Sequence, residues 1–178
     1  MKRVIMIFFA CVLAIQSSWA QQAASSGQAQ LFSPMKDFTL FDRKGNEHKP
    51  SEFKGKYTVL LFTGQDCESC GEAMTILDGF YNRNKDKAEV VTISLDDKDG
   101  WSGEASKGSF NEWNGNSSAN DIASYFGSTS LSLPFFVIIH PNGNILHISK
   151  NRLGSFFKEL NEQVPDAAID NILKSHKK

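Results

Sequence analysis

The chain has 178 residues, with 19 Lys and Arg against 20 Asp and Glu, 40% hydrophobic residues and three cysteines. That length suits a single domain once any targeting segment is set aside. The near-neutral balance, and the absence of any long basic run ahead of 174–178, leave no electrostatic case for nucleic acid as a partner.

Lys2 and Arg3 precede an apolar run over 4–15 and then Ser17-Ser18-Trp19-Ala20. A charged start, an apolar centre and a small-x-small site predict a signal peptide over 1–20, cut after Ala20. The chain is then exported, to a periplasmic compartment. A retained anchor is the alternative, and only in that case is a membrane a partner; the run is short against the ~20 residues of a span. Lipidation at Cys11 fits poorly, because Phe8-Phe9-Ala10 precedes it and apolar residues follow. Cleavage leaves 17 basic and 20 acidic residues, a formal −3, and only Cys67 and Cys70.

Residues 21–36 are rich in Gln, Ala and Ser, show no periodicity and predict a flexible leader to a domain over 37–178. A strand at 37–41, turn residues at 42–45 and a return at 46–49 predict a hairpin. Residues 50–55 read as one helical turn ended by Gly55. The apolar run 57–63 predicts a buried strand. It leads through Cys67-Glu68-Ser69-Cys70 into a helix over 71–85, whose Met74, Leu77, Phe80 and Tyr81 form a core stripe. A second core strand follows at 89–95, parallel to the first.

Residues 96–127 hold Trp101, Phe110, Trp113, Tyr125 and Phe126 among many Gly, Ser and Asn, and predict helices around 105–113 and 119–126 with the aromatics mostly in the core. After Pro134, residues 135–140 predict a third core strand. Pro141-Asn-Gly-Asn144 is a turn, and 145–149 returns antiparallel. Helical patterns over 153–163 and 166–174 flank Pro165.

Two cysteines three apart on a first helical turn share one face, within reach of a small, easily reversed disulfide. A helix start presents unpaired N–H groups that favour a thiolate. A lone pair closing so small a loop removes little entropy from the unfolded chain, so chemistry explains it better than stability does.

Three stretches carry a family resemblance: Phe53-Lys54-Gly55-Lys56-Tyr57 before a strand, Cys67-Glu68-Ser69-Cys70, and the run from Leu133-Pro134 to Asn144-Ile145. Over about 37–160 the chain resembles the thioredoxin superfamily, within it the exported TlpA/ResA kind of thiol–disulfide oxidoreductase. The resemblance implies an α/β fold with a central mixed sheet, helices on both faces and an N-terminal hairpin extension. It implies no cofactor beyond a redox-active Cys67–Cys70 disulfide. It makes Cys67 the nucleophile, Cys70 the resolving thiol and Pro134, after Leu133, the family's cis-proline; the residues by themselves also admit a trans proline at a strand start. Client proteins with disulfides and a separate electron-donor protein are the implied partners.

The chain departs from the family pattern in two places. Asp66 stands where many relatives have Trp, and Leu61 where thioredoxin has a buried Asp. A water or a carboxylate such as Glu68 or Glu72 then has to serve the second proton transfer. Asp66 and Glu68 flank Cys67 with negative charge, which disfavours its thiolate and predicts a comparatively reducing couple.

Other functions fit less well. A peroxidase of related fold needs a Thr where Gly64 stands. A copper or other metal chaperone would add a histidine to the two sulfurs. The candidates are His48, His140, His147 and His176; His140 lies six residues beyond Pro134, ~20 Å along a strand, while His48 and His147 have no supporting motif. A non-catalytic binding domain would use 96–127 as its surface. No metal site is predicted.

Overall fold

A computed structural model of the chain describes residues 27–101 and 109–150. The predicted signal segment 1–20, the first part of the leader and the helices at 153–163 and 166–174 lie outside the described residues. Strands β1 (Leu40–Phe41) and β2 (Glu47–His48) form the hairpin, followed by a 3-10 turn at Pro50–Phe53. Then come β3 (Tyr57–Thr63), α1 (Cys70–Asn84), β4 (Ala88–Ser94), the short α2 (Lys98–Trp101), β5 (Asn111–Asn114), α3 (Ala119–Tyr125), β6 (Phe135–Ile139) and β7 (Ile145–Lys150).

The seven strands make one mixed sheet in the order β2-β1-β5-β4-β3-β6-β7. β3 is its centre, parallel to β4 from Tyr57↔Ala88 to Thr63↔Ser94 and antiparallel to β6 on its other side. Val59, Leu60, Leu61 and Phe62 are therefore buried on both faces, which is why the strand reads as a continuous apolar run. On one face Ala73, Leu77 and Phe80 of α1 pack against Val59, Leu61, Val90 and Ile138. On the other, Ile122 and Tyr125 of α3, with Phe126, cover Leu60, Phe62, Ile93 and Phe135. Helices thus flank a mixed sheet on both faces, as the resemblance implies. Among the described residues no helix is long and apolar enough to cross a membrane.

The turns follow their side chains. Asp42 Oδ1 accepts the amides of Lys44 and Asn46, both at 2.8 Å, and Gly45 takes φ +84°. This Asx geometry closes the hairpin. At the other tip His140 and Asn144 bond through N–H to C=O at 2.8 Å, with Gly143 at φ +90°.

Two expectations are corrected. Around 105–113 a helix was expected, but Asn111–Asn114 is a strand, parallel to β4 from Val91↔Asn111 to Ser94↔Asn114. Asn, Trp and Asn again are poor helix formers, and burial decides the matter: Trp113 stacks on His48 at 4.6 Å and on Phe53 at 5.4 Å. β5 is also what joins the hairpin to the sheet, through Phe41↔Asn114. The second correction concerns the leader. Within 21–36, Ala29 N–H donates to Tyr125 O, Phe32 N–H to Ile145 O and Met35 N–H to Gly143 O, while Ile145 N–H donates back to Ser33 O. Backbone groups hold this stretch to the domain, so its polar, aperiodic side chains carry no sign of it.

Candidate active site

The carboxyl end of β3 carries the chain into a tight passage at Gly64. A Cβ there would stand 2.8 Å from Leu133 Cδ1 and 3.2 Å from Asp96 Oδ1, so glycine is the residue that fits. Gln65 N–H then donates to Asp96 Oδ1 at 3.0 Å. Cys67 N–H reaches back to Gly64 O, and Cys70 N–H to Cys67 O, each at 3.2 Å. Two successive turns thus deliver the chain into α1, and Cys67 and Cys70 are joined as a disulfide with Cα atoms 5.4 Å apart.

The helix begins at Cys70 itself. Cys67 therefore sits in the turn ahead of α1, whereas the sequence placed both cysteines on the first helical turn. The pair remains asymmetric. Cys67 is half-buried and Cys70 is only 5% exposed, so an incoming disulfide can reach the first sulfur more readily than the second.

Pro134 arrives from the other side of β3. Phe62 pairs with Phe135, which puts Pro134 alongside the end of β3, where the passage toward Cys67 begins. The Leu133–Pro134 peptide is cis, and the Leu133 side chain closes over Gly64. A proline here leaves the strand without one N–H donor.

Asp66 and Glu68 are both exposed, so their charges act on Cys67 through solvent screening. Glu72 is exposed too, and Leu61 is fully buried. Glu68 and Glu72 thus both stand in solvent, while Cys70 is buried.

What does lie near Cys70 is a cleft of about 260 Å³, lined among others by Cys70, Met74, Thr92, Asp96, Trp101 and Glu112. Glu112 Oε2 is held by Arg43 at 3.0 Å from both Nε and Nη2. Arg43 also donates to Trp101 O and stacks 4.7 Å from the Trp101 ring. Sequence reasoning missed Glu112 because its segment was read as helix; its one signal was a charged residue beside Trp113 and two from Phe110, both buried.

The described histidines, His48, His140 and His147, do not line this cleft. His48 bonds Glu52 at 2.9 Å and faces Asp42 at 3.6 Å, and these partners, Glu52 first, raise its pKa above the usual value. His140 accepts Asn142 N–H, and His147 stacks on Phe136. Among the described residues no group of three or more His, Cys, Asp or Glu side chains could hold a metal ion.

The comparisons agree with this geometry. A family model described as thioredoxin-like matches residues 55–145. The thiol-disulfide oxidoreductase ResA of Geobacillus kaustophilus is 33% identical over 60 residues, which span 33% of this chain and 34% of that protein. The match thus covers about a third of the relative's length. The fold is similar to that of a thiol:disulfide interchange protein from Bacteroides sp., with a TM-score of 0.65 and 22% identity over 77% of this chain and 91% of that one. The thioredoxin domain of a thiol-disulfide oxidoreductase from Bacteroides vulgatus is as similar, with a TM-score of 0.65 and 23% identity over 79% and 99% of the two chains. With the family model covering half of its length, and the cysteine pair where β3 gives way to α1, the chain belongs to the thioredoxin-like family.

Proposed function

We propose that this chain is an exported, periplasmic thiol–disulfide oxidoreductase that reduces disulfides in client proteins through Cys67 and Cys70. The observation that carries the reading is the asymmetric disulfide itself: one sulfur within reach of solvent and one buried at a helix start. In the reduced form Cys67 attacks a client disulfide and becomes bonded to one client sulfur, while the other leaves as a thiolate. Cys70 then attacks Cys67, the client's second sulfur is released, and two electrons have passed to the client. The oxidised pair is recharged by a separate electron-donor protein.

The direction follows from charge. Asp66 and Glu68 stand on either side of Cys67 and oppose a thiolate there; their exposure weakens this effect without changing its sign. A less stable thiolate makes the disulfide harder to reduce. The couple is therefore expected below about −180 mV, closer to the ~−270 mV of thioredoxin than to the ~−120 mV of a strong oxidant. Equilibration with glutathione or dithiothreitol buffers measures it, and a potential above about −180 mV overturns the reducing direction.

Trapping tests the activity. A Cys70→Ser variant should accumulate mixed disulfides with clients through Cys67, and a Cys67→Ser variant should accumulate none. Equal capture by both variants would sink the assignment. Export is tested separately by the mass of the mature chain, which should begin at Gln21.

A further inference from the structure

Glu112 is a partly buried carboxylate that the steps above do not use. It pairs in register with Thr92 of β4, and Thr92 with Leu61 of β3. Side chains in register across neighbouring strands leave the sheet on one face, and for Leu61 that face is the one α1 covers. Glu112 therefore stands two strands, or about 10 Å, across the sheet from Leu61 on the side of Cys70.

Its two oxygens are held differently. Oε2 is paired with Arg43, whereas Oε1 is buried and has no hydrogen-bond partner among the described residues. A buried acceptor left unsatisfied is costly, and such a group calls for a function that offsets the cost. Glu112 and Cys70 line one cleft of about 260 Å³, far larger than the ~15 Å³ that one water needs. Among the described residues, the charged and titratable groups facing this cleft are Arg43, Asp96, Glu112 and Cys70. Asp96 is already engaged on both oxygens, by Gln65 N–H at 3.0 Å and by Ser94 Oγ at 2.9 Å. Glu112 is the carboxylate with an oxygen to spare.

We infer that Glu112 takes the proton of Cys70, through water in the cleft, when the mixed disulfide is resolved. The inference rests on the exchange reaction proposed above. Before the step, Cys67 Sγ is bonded to a client sulfur and Cys70 is a thiol. The Cys70 proton passes to the Glu112 carboxylate, and the thiolate attacks Cys67 Sγ. The Cys67–client bond breaks, the Cys67–Cys70 bond forms, and the client sulfur leaves as a thiolate that takes a proton from water. Glu112 returns its proton to solvent by the same cleft. Arg43 holds Oε2 and so fixes the carboxylate in the cleft.

The test uses the full mature chain, reduced and mixed with 5,5′-dithiobis(2-nitrobenzoate) in a stopped-flow instrument. The first thionitrobenzoate released reports attack by Cys67, and the second reports attack by Cys70 on the mixed disulfide. For Glu112→Gln the first release should stay within about twofold of the unaltered chain. The second should slow about tenfold or more at pH 6–7, a modest share of what positioned acid–base groups supply. The gap should close as pH approaches the ordinary thiol value of ~8.5. Arg43→Gln, which leaves the carboxylate in place, should keep more of the second release than Glu112→Gln does. Second releases unchanged in both variants, or slowed equally at every pH, overturn the role of Glu112 alone. An unaltered chain that gives a first release but no second overturns the exchange reaction, and this role with it.

Discussion

Gly64 shows how little room the site leaves. Leu133 and Asp96 close on it from two sides at 2.8 and 3.2 Å from where a Cβ would be. Gly64→Ala should therefore push Leu133 aside and cost about 1–3 kcal/mol, the usual range for overpacking. Urea unfolding of the oxidised protein measures this, and a loss below about 0.5 kcal/mol would mean that the passage is looser than the distances imply. His48 carries a pH dependence. Its hydrogen bond to Glu52, then its other acidic contacts, hold its folded pKa above 6.5. The protonated form is thus favoured by folding, so this contribution is complete below pH 6.5 and fades as pH rises through the raised folded value. Comparing unfolding midpoints from pH 5.5 to 8.5, His48→Gln should lose this slope, by no more than about 1 kcal/mol for so accessible a pair. Asp42 acts in the opposite range. Hydrogen bonds led by Asn46 lower its pKa to about 2, so its contribution is present above about pH 4 and is lost as pH falls toward 2.

At the scale of elements, β5 is short but joins two parts of the molecule. It pairs in parallel with β4 on one side and antiparallel with β1 on the other, and Trp113 fills the space between His48, Phe53 and Ile93. Trp113→Ala should cost about 3–5 kcal/mol. It should also release hydrogen-exchange protection in the hairpin before it does so in β3, because the hairpin reaches the central strands through β5. Simultaneous loss of protection in both would show that β1 and β2 do not depend on this strand. α1 has a different part. Its buried Ala73, Leu77 and Phe80 fix the helix on the sheet, and with it the position of Cys70. The opening of this helix at Cys70 leaves the more reachable sulfur in a turn, where a client chain can approach it.

At the scale of the molecule, β3 divides the interior into two cores that share only the sheet backbone. Leu77 belongs to one and Ile122 to the other. Leu77→Ala and Ile122→Ala should each cost about 2–5 kcal/mol. Lacking shared partners, the two losses should add within about 0.5 kcal/mol. A larger coupling, measured in a double-mutant cycle, would mean that strain crosses the sheet.

Local order was legible wherever it comes from side chains near in sequence. The run Tyr57–Thr63, the Cys-x-x-Cys spacing, the stripe of α1, the hairpin at Asp42 and the turn at Pro141 each declare themselves within a few residues, because burial period and turn chemistry are short-range. Even the asymmetry of Cys67 and Cys70 could be read from a helix start. Tertiary structure alone decided three things. Ala29 to Met35 hold to the domain by backbone hydrogen bonds, which leave no trace in side-chain pattern. Asn111–Asn114 became a strand because β4 and β1 offered it partners, against its own weak preferences. Glu112 came to share a cleft with Cys70 only because β4 pairs with β3, about 30 residues before it, and with β5, about 20 residues after it, a relation that pairing across the sheet creates and no local pattern encodes.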